Sequence, residues 1–167
     1  MNKWIELLRD DNYLGIKKHI KNGADVNECN EIGESVLACA MREGCSFETV
    51  MLLVEKGANK FDFDDEGVSI LDMAVTYNNI EMLEYLLNEG ADINQTQRRS
   101  GFTALMAATC YGRIEIIKIL LAHGAKQDTK DMKGFRAIDF ARKMNKKSAL
   151  ELLDYKEFEV KNTGYAR

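Results

Sequence analysis

The chain has no proline, two histidines and four cysteines among its 167 residues. Neither His19 nor His123 has a Cys, Asp or Glu partner at metal-ligand spacing. No serine sits in a nucleophile motif, and neither GxxxxGKS/T nor GxGxxG occurs. The parts list for an enzyme is therefore missing, and no catalytic, metal or cofactor-binding residue is expected. Cys29, Cys39, Cys45 and Cys110 form no CxxC and no paired metal spacing, so they read as reduced thiols of a cytoplasmic protein. No apolar run approaches the length of a membrane span, and MNKWIELLRDD turns acidic before a signal-like core develops. Neither membrane insertion nor a secretory signal peptide is expected, and the sequon at Asn94 is without meaning. The missing proline, beside frequent Lys, Asn and Ile, is the composition expected from an AT-rich, bacterial genome.

What is present is periodic. The stretch Gly101–Gly124, GFTALMAATCYGRIEIIKILLAHG, reads as a glycine turn, a Thr103 cap, a short apolar helix and a Gly112 break. A longer helix follows, with Ile114, Ile116, Ile117, Leu120 and Leu121 on one broad face, and stops at Gly124. The turn glycine recurs at Gly33, Gly67, Gly101 and Gly134, and the stop glycine at Gly23, Gly57, Gly90 and Gly124, all at intervals of 33 or 34 residues. With Gly44 and Gly112 at inter-helix breaks, ten of the twelve glycines fall on this lattice, so the chain is a repeat array.

The units resemble ankyrin repeats. The first-helix motif stands as SVLACA (35–40), SILDMA (69–74), TALMAA (103–108) and RAIDFA (136–141). The closing motif stands as GADVN (23–27), GANKF (57–61), GADIN (90–94) and GAKQD (124–128). Two positions depart from the family pattern. Its proline is replaced by Val36, Ile70, Ala104 and Ala137, and its histidine by Ala38, Asp72, Met106 and Asp139. These changes are expected to weaken helix initiation and one hydrogen bond without altering the fold. The resemblance implies an all-α solenoid of five helix-turn-helix units with short hairpin-like turns.

The expected division is a repeat domain over 1–155 and a tail over 156–167. Within the domain, 1–28 is an N-terminal cap repeat, 29–61, 62–95 and 96–128 are internal repeats, and 129–155 is a C-terminal cap. In the first cap, Trp4, Leu7 and Leu8 should serve one helix, and Leu14, Ile16 and Ile20 the next. The second unit carries one extra residue near Cys45-Ser46-Phe47, and the fourth follows a one-residue insertion within Asn94–Ser100. Asn78-Asn79 and Asn145 stand where other units have an inter-helix glycine, since Asn tolerates the left-handed conformation. Leu37, Leu71, Leu105 and Ile138 are equivalent positions and should all be buried. The tail either extends the last helix or lies across the end of the stack.

Two further signals were weighed. DFDDEG (62–67) imitates the start of a calcium loop, but the bidentate Glu required six residues after the glycine is replaced by Met73. Residues 25–95 hold sixteen acids and three bases, whereas 126–147 hold eight bases and three acids. A block this one-sided steers a basic partner. The basic block lacks interleaved aromatics for stacking, so nucleic acid is not expected.

The function the resemblance implies is non-catalytic protein binding by a monomer. A secreted bacterial effector that binds a host protein, or a self-associating structural protein, are the alternatives. Partners of the family meet turn tips and the exposed side of first helices. Counting from each turn glycine gives Glu31, Ile32, Glu34, Arg42 and Glu43, then Asp65, Glu66, Val68, Thr76 and Tyr77. The later units give Arg99, Ser100, Phe102, Cys110 and Tyr111, then Met132, Lys133, Phe135, Lys143 and Met144. A partner segment is expected to anchor on Tyr77 and Tyr111, with basic residues facing Glu31, Glu34, Asp65 and Glu66. For Phe102 and Phe135, packing against neighbouring turns is the competing role.

Overall fold

The structure, a computed structural model, describes residues 1–154. The expectations for the tail 156–167 therefore lie outside the described residues. Nine helices are bounded: α1 Asn2–Arg9, α2 Tyr13–Lys21, α3 Val36–Glu43, α4 Phe47–Glu55, α5 Ile70–Thr76, α6 Ile80–Asn88, α7 Ala104–Tyr111, α8 Ile114–Ala122 and α9 Ala137–Lys143. Residues 147–154 are also helical. Between pairs the chain makes tight turns, two of them closed by single antiparallel bridges, Cys29 to Ser35 and Phe63 to Ser69. The class is an all-α repeat solenoid.

Local chemistry starts and stops each helix. Ser35, Ser69 and Thr103 have extended backbones and accept hydrogen bonds from the amides of Ala38, Asp72 and Met106. Where Asp takes the place of the family's histidine, it closes the cap from the other side. The Asp72 carboxylate accepts from the Ser69 amide at 3.0 Å, and Asp139 from the Arg136 amide at 2.9 Å. The expected loss of a stabilising bond is thus offset in α5 and α9. The ten lattice glycines all have positive φ, and Asn78 and Asn145 take the same conformation at 57° and 52°. Helix starts within a pair are eleven residues apart for α3 and α4 and ten for α5 and α6, which locates the extra residue in the Cys45 turn.

The chain divides into two compact units, Met1–Ala91 and the part from Asp92 onward. In the first, α1 packs on α2 and α3, α3 on α4 and α5, and α5 on α6. In the second, α7 packs on α8 and α9. First helices are covered on nearly every side: Val36–Met41, Ile70–Val75 and Ala104–Thr109 are buried without a break. That accounts for their alanines and Cys39, since small side chains let helices approach closely on several sides. Second helices bury one stripe only, Met82, Leu83 and Leu86 in α6, and Ile116, Ile117 and Leu120 in α8. Leu37, Leu71, Leu105 and Ile138 retain 0%, 9%, 2% and 4% of their surface. Trp4, Leu7, Leu8 and Ile16 are buried, but Leu14 is 76% exposed. Positions 14 and 16 lie about 200° apart on a helix, so only one of them faces the core.

Asparagines tie successive repeats together within each unit. Asn27 accepts from the Asn59 amide at 2.9 Å and donates to the Gly57 carbonyl at 3.0 Å. Asn94 repeats this, accepting from the Lys126 amide at 2.8 Å and donating to the Gly124 carbonyl at 3.2 Å. Each satisfies loop backbone that would otherwise need water. Adjacent turns also touch. The Asp65 amide donates to the Ile32 carbonyl at 3.4 Å, and the Met132 amide to the Ser100 carbonyl at 2.8 Å. A Cβ on Gly33 would meet Asp65 at 2.6 Å, so the absence of a side chain there permits the close approach of the two tips.

Candidate protein-binding surface

The tips are shaped by an acceptor three residues before each turn glycine. Asn30 accepts from the Ile32 and Glu34 amides, at 3.1 and 3.0 Å. Asp64 accepts from Glu66 and Val68, both at 2.9 Å, and Asp131 from Lys133 and Phe135, at 2.9 and 2.8 Å. In the fourth repeat the inserted residue displaces this pattern, and the Thr96 hydroxyl accepts from Arg98 while donating to the Phe102 carbonyl. The calcium-like DFDDEG stretch is one of these tips, with Asp64 turned onto backbone amides. Among the described residues no cluster of three His, Cys, Asp or Glu could hold a metal ion, and no helix is long and apolar enough to cross a membrane.

In the first unit, Glu31, Ile32, Asp65 and Glu66 are exposed at two touching tips, and Val68 is half-buried behind them. Glu34 is a correction: it is 6% exposed and belongs to the interior. Its carboxylate accepts from Asn30 Nδ2 at 2.7 Å and pairs with Arg42, whose side chain reaches back along α3. Arg42 also meets Glu43 at 3.3 Å, and Glu43 lies 3.9 Å from Arg9. Burial alone would lower the Arg42 pKa, but Glu34, Cys39 and Glu43 outweigh it and hold it above its ordinary value. Both charges are therefore engaged within the chain, Glu34 in the interior and Arg42 at its edge.

Sequence reasoning missed two aromatics in this unit, Phe61 and Phe63, which are 48% and 52% exposed. Phe63 aligns with Cys29 in the bridging turns, and Phe61 with the linking Asn27, so each replaces a polar or small residue with an exposed ring. That substitution was the available signal. Lys60 lies over the Phe61 and Tyr85 rings at 5.6 and 5.4 Å and pairs with Glu89, so its charge is already engaged. Tyr77, at the end of α5, is 43% exposed beside an open groove of about 460 Å³. Thr76 is half-buried.

In the second unit, Tyr111 is 52% and Met132 79% exposed, and Arg99, Lys133, Lys143 and Met144 also lie at the surface. Phe102 and Phe135 are half-buried and do not stand alone. Both meet Phe140, Phe102 edge-on at 5.3 Å and Phe135 tilted at 5.9 Å. Arg98 lies over Phe102 at 5.5 Å and Lys143 over Phe135 at 5.4 Å. Phe140 was not singled out in the sequence because its equivalents, Cys39, Met73 and Ala107, are buried core positions. The three rings brace the last two turns, which gives Phe102 and Phe135 a packing role.

All four thiols are free. Burial pushes Cys39 up to about 11 and Cys45 to about 12, which keeps both protonated and inert. Cys29 is exposed, yet desolvation and the neighbouring Asp62, Asp25 and Asp65 raise its pKa too. Three carboxylates converging on one residue mark the acidity of this tip region.

A family model for ankyrin repeats matches residues 8–97 and 95–163. The E3 ubiquitin-protein ligase hecd-1 of Caenorhabditis elegans is 38% identical over 90 residues, 53% of this chain and 3% of that protein. The nuclear factor NF-kappa-B p105 subunit of Gallus gallus is 34% identical over 107 residues, 63% of this chain and 11% of its own length. The B-cell lymphoma 3 protein homolog of Mus musculus is 35% identical over 108 residues, 64% of this chain and 24% of its length. The chain thus spans between 3% and 24% of these relatives, and the similarity reaches no further into them than that.

Proposed function

Because this chain belongs to the ankyrin-repeat family, a family of protein-interaction modules, we propose that it is a non-catalytic adaptor whose acidic tips hold a basic segment of a protein partner. One observation carries this: Glu31, Asp65 and Glu66 are exposed on two touching tips, flanked by exposed Ile32 and Phe63. Exposed carboxylates draw a cationic segment by long-range attraction, and the apolar side chains supply contact area that slows its departure. The rigid, hydrogen-bonded turns lose little ordering entropy on binding. Tyr77 in the first unit and Tyr111 in the second offer further aromatic anchors, each within its own unit. The adaptor acts as a monomer in the cytoplasm of a bacterium, a setting that suits four free thiols.

The test is an affinity pull-down from the native organism with mass-spectrometric identification. A partner that elutes as salt is raised, and that the Asp65→Lys, Glu66→Lys double variant fails to capture, is the expected result. A partner bound equally by wild type and double variant removes the tips from the reading.

A further inference from the structure

The groove beside Tyr77 lies within the first unit, between the α3–α4 and α5–α6 turns, at the opposite end of α3 and α5 from the acidic tips. Its volume is about 460 Å³, and its walls include Met41, Cys45, Ser46, Tyr77, Asn79 and Glu81. The extra residue in the Cys45 turn lengthens one wall relative to the facing α5–α6 pair.

The lining decides what the groove holds. The ends of α3 and α5 expose negative helix termini, and the starts of α4 and α6 positive ones, so the backbone contributions offset each other. Side chains therefore set the sign. Glu81, exposed in the first turn of α6, is the one charged side chain in the lining, and no lysine or arginine is there. Asp11 adds to the negative field from outside, since its carboxylate accepts from the Ser46 amide at 3.1 Å. Tyr77 presents a half-exposed ring whose face attracts cations. Asn79 is already committed, its side-chain oxygen holding the Met82 amide at 2.9 Å. Half-buried Phe47 and Ile80, also in the lining, supply apolar surface for a methylene stem, while Met41 and Cys45 lie buried beneath.

We infer that this groove receives a lysine or arginine side chain, with the stem against Phe47 and Ile80 and the charged head between the Tyr77 ring and the Glu81 carboxylate. It deepens the adaptor reading by giving the partner segment a second cationic contact, remote from the tips. It rests on that reading for the source of the side chain, but the groove is testable without any partner.

The probe is n-propylguanidinium chloride, titrated into the full chain and followed by amide chemical shifts, with sodium chloride and n-propanol as matched controls. Saturable shifts are expected at the amides of Gly44–Phe47 and Tyr77–Glu81, absent with either control. Glu81→Gln and Tyr77→Ala should each weaken the apparent affinity by about two- to fivefold, the size of an exposed cation–aromatic or ionic contact. Both positions are exposed, so the variants should fold, and Glu81→Gln keeps the test valid if Tyr77→Ala does not. Shifts no larger than with sodium chloride, equal shifts with n-propanol, or unchanged affinity in Glu81→Gln would each overturn the assignment. Shifts confined to Glu31, Ile32, Asp65 and Glu66 would overturn the groove while leaving the tip reading intact.

Discussion

Replacing Arg42 by alanine probes the buried Glu34 carboxylate that it pairs with. Glu34 keeps 8% of its side-chain exposure and Arg42 keeps 33%, so the pair is shielded on one side and partly wet on the other. Breaking a fully buried pair by removing one partner costs about 3–5 kcal/mol. Here the guanidinium is a third exposed, water can reach the space it leaves, and Asn30 still donates to Glu34 at 2.7 Å. We therefore expect about 1–3 kcal/mol, nearer the cost of an under-satisfied buried polar group. Glu34→Gln should cost less, since the amide keeps the shape and loses the charge. The double variant should be less destabilised than the two single losses combined, with a coupling of about 1 kcal/mol. Urea unfolding followed by circular dichroism measures all three. If Arg42→Ala unfolds at the wild-type midpoint, or the cycle shows no coupling, Glu34 is solvated and returns to the candidate surface.

Other expectations follow from the same packing. Leu105→Ala should cost roughly 2–5 kcal/mol in urea unfolding, because the side chain is 2% exposed among first-helix neighbours. Gly90→Val should lower the melting temperature by a loss of about 1–2 kcal/mol. A Cβ there meets no atom within 4 Å, so the φ of 89° is the whole cause and Gly90→Asn should recover much of the loss. Asp139 is held below its ordinary value of 3.8, chiefly by the Arg136 amide and against a smaller effect of burial. Its contribution is therefore complete above the unfolded value and lost as pH falls through the depressed one. Asp139→Asn should cost about 1 kcal/mol at neutral pH and flatten that acid limb in pH-resolved unfolding.

Repeat positions were legible because they are set by backbone conformation. A glycine recurring every 33 or 34 residues is a statement about positive φ, and the ten lattice glycines have it. Asn78 and Asn145 were readable for the same reason. The buried leucines followed from register, since Leu37, Leu71 and Leu105 occupy one place in successive motifs. The candidate surface was less legible, because side-chain reach is not periodic. Glu34 shares its place with Val68, Phe102 and Phe135, and its burial depends on Arg42, eight residues away, folding back along α3. Phe102 and Phe135 both pack on Phe140, which sits in a motif slot that reads as core, so their shared contact was not legible. The linking asparagines, Asn27 and Asn94, were visible as letters of the closing motif, yet their bonds run to a loop about 30 residues on.

The central claim is that acidic tips of the first unit hold a protein partner, and a three-way pull-down tests it most directly. Wild type, the Asp65→Lys, Glu66→Lys double variant and Glu84→Lys, an exposed position on the second helix α6, are immobilised side by side against lysate of the native organism. The tip account predicts a protein retained by wild type and by Glu84→Lys, lost from the double variant and released by salt. A protein retained by the double variant and lost from Glu84→Lys would contradict it and put the partner on the outer helices.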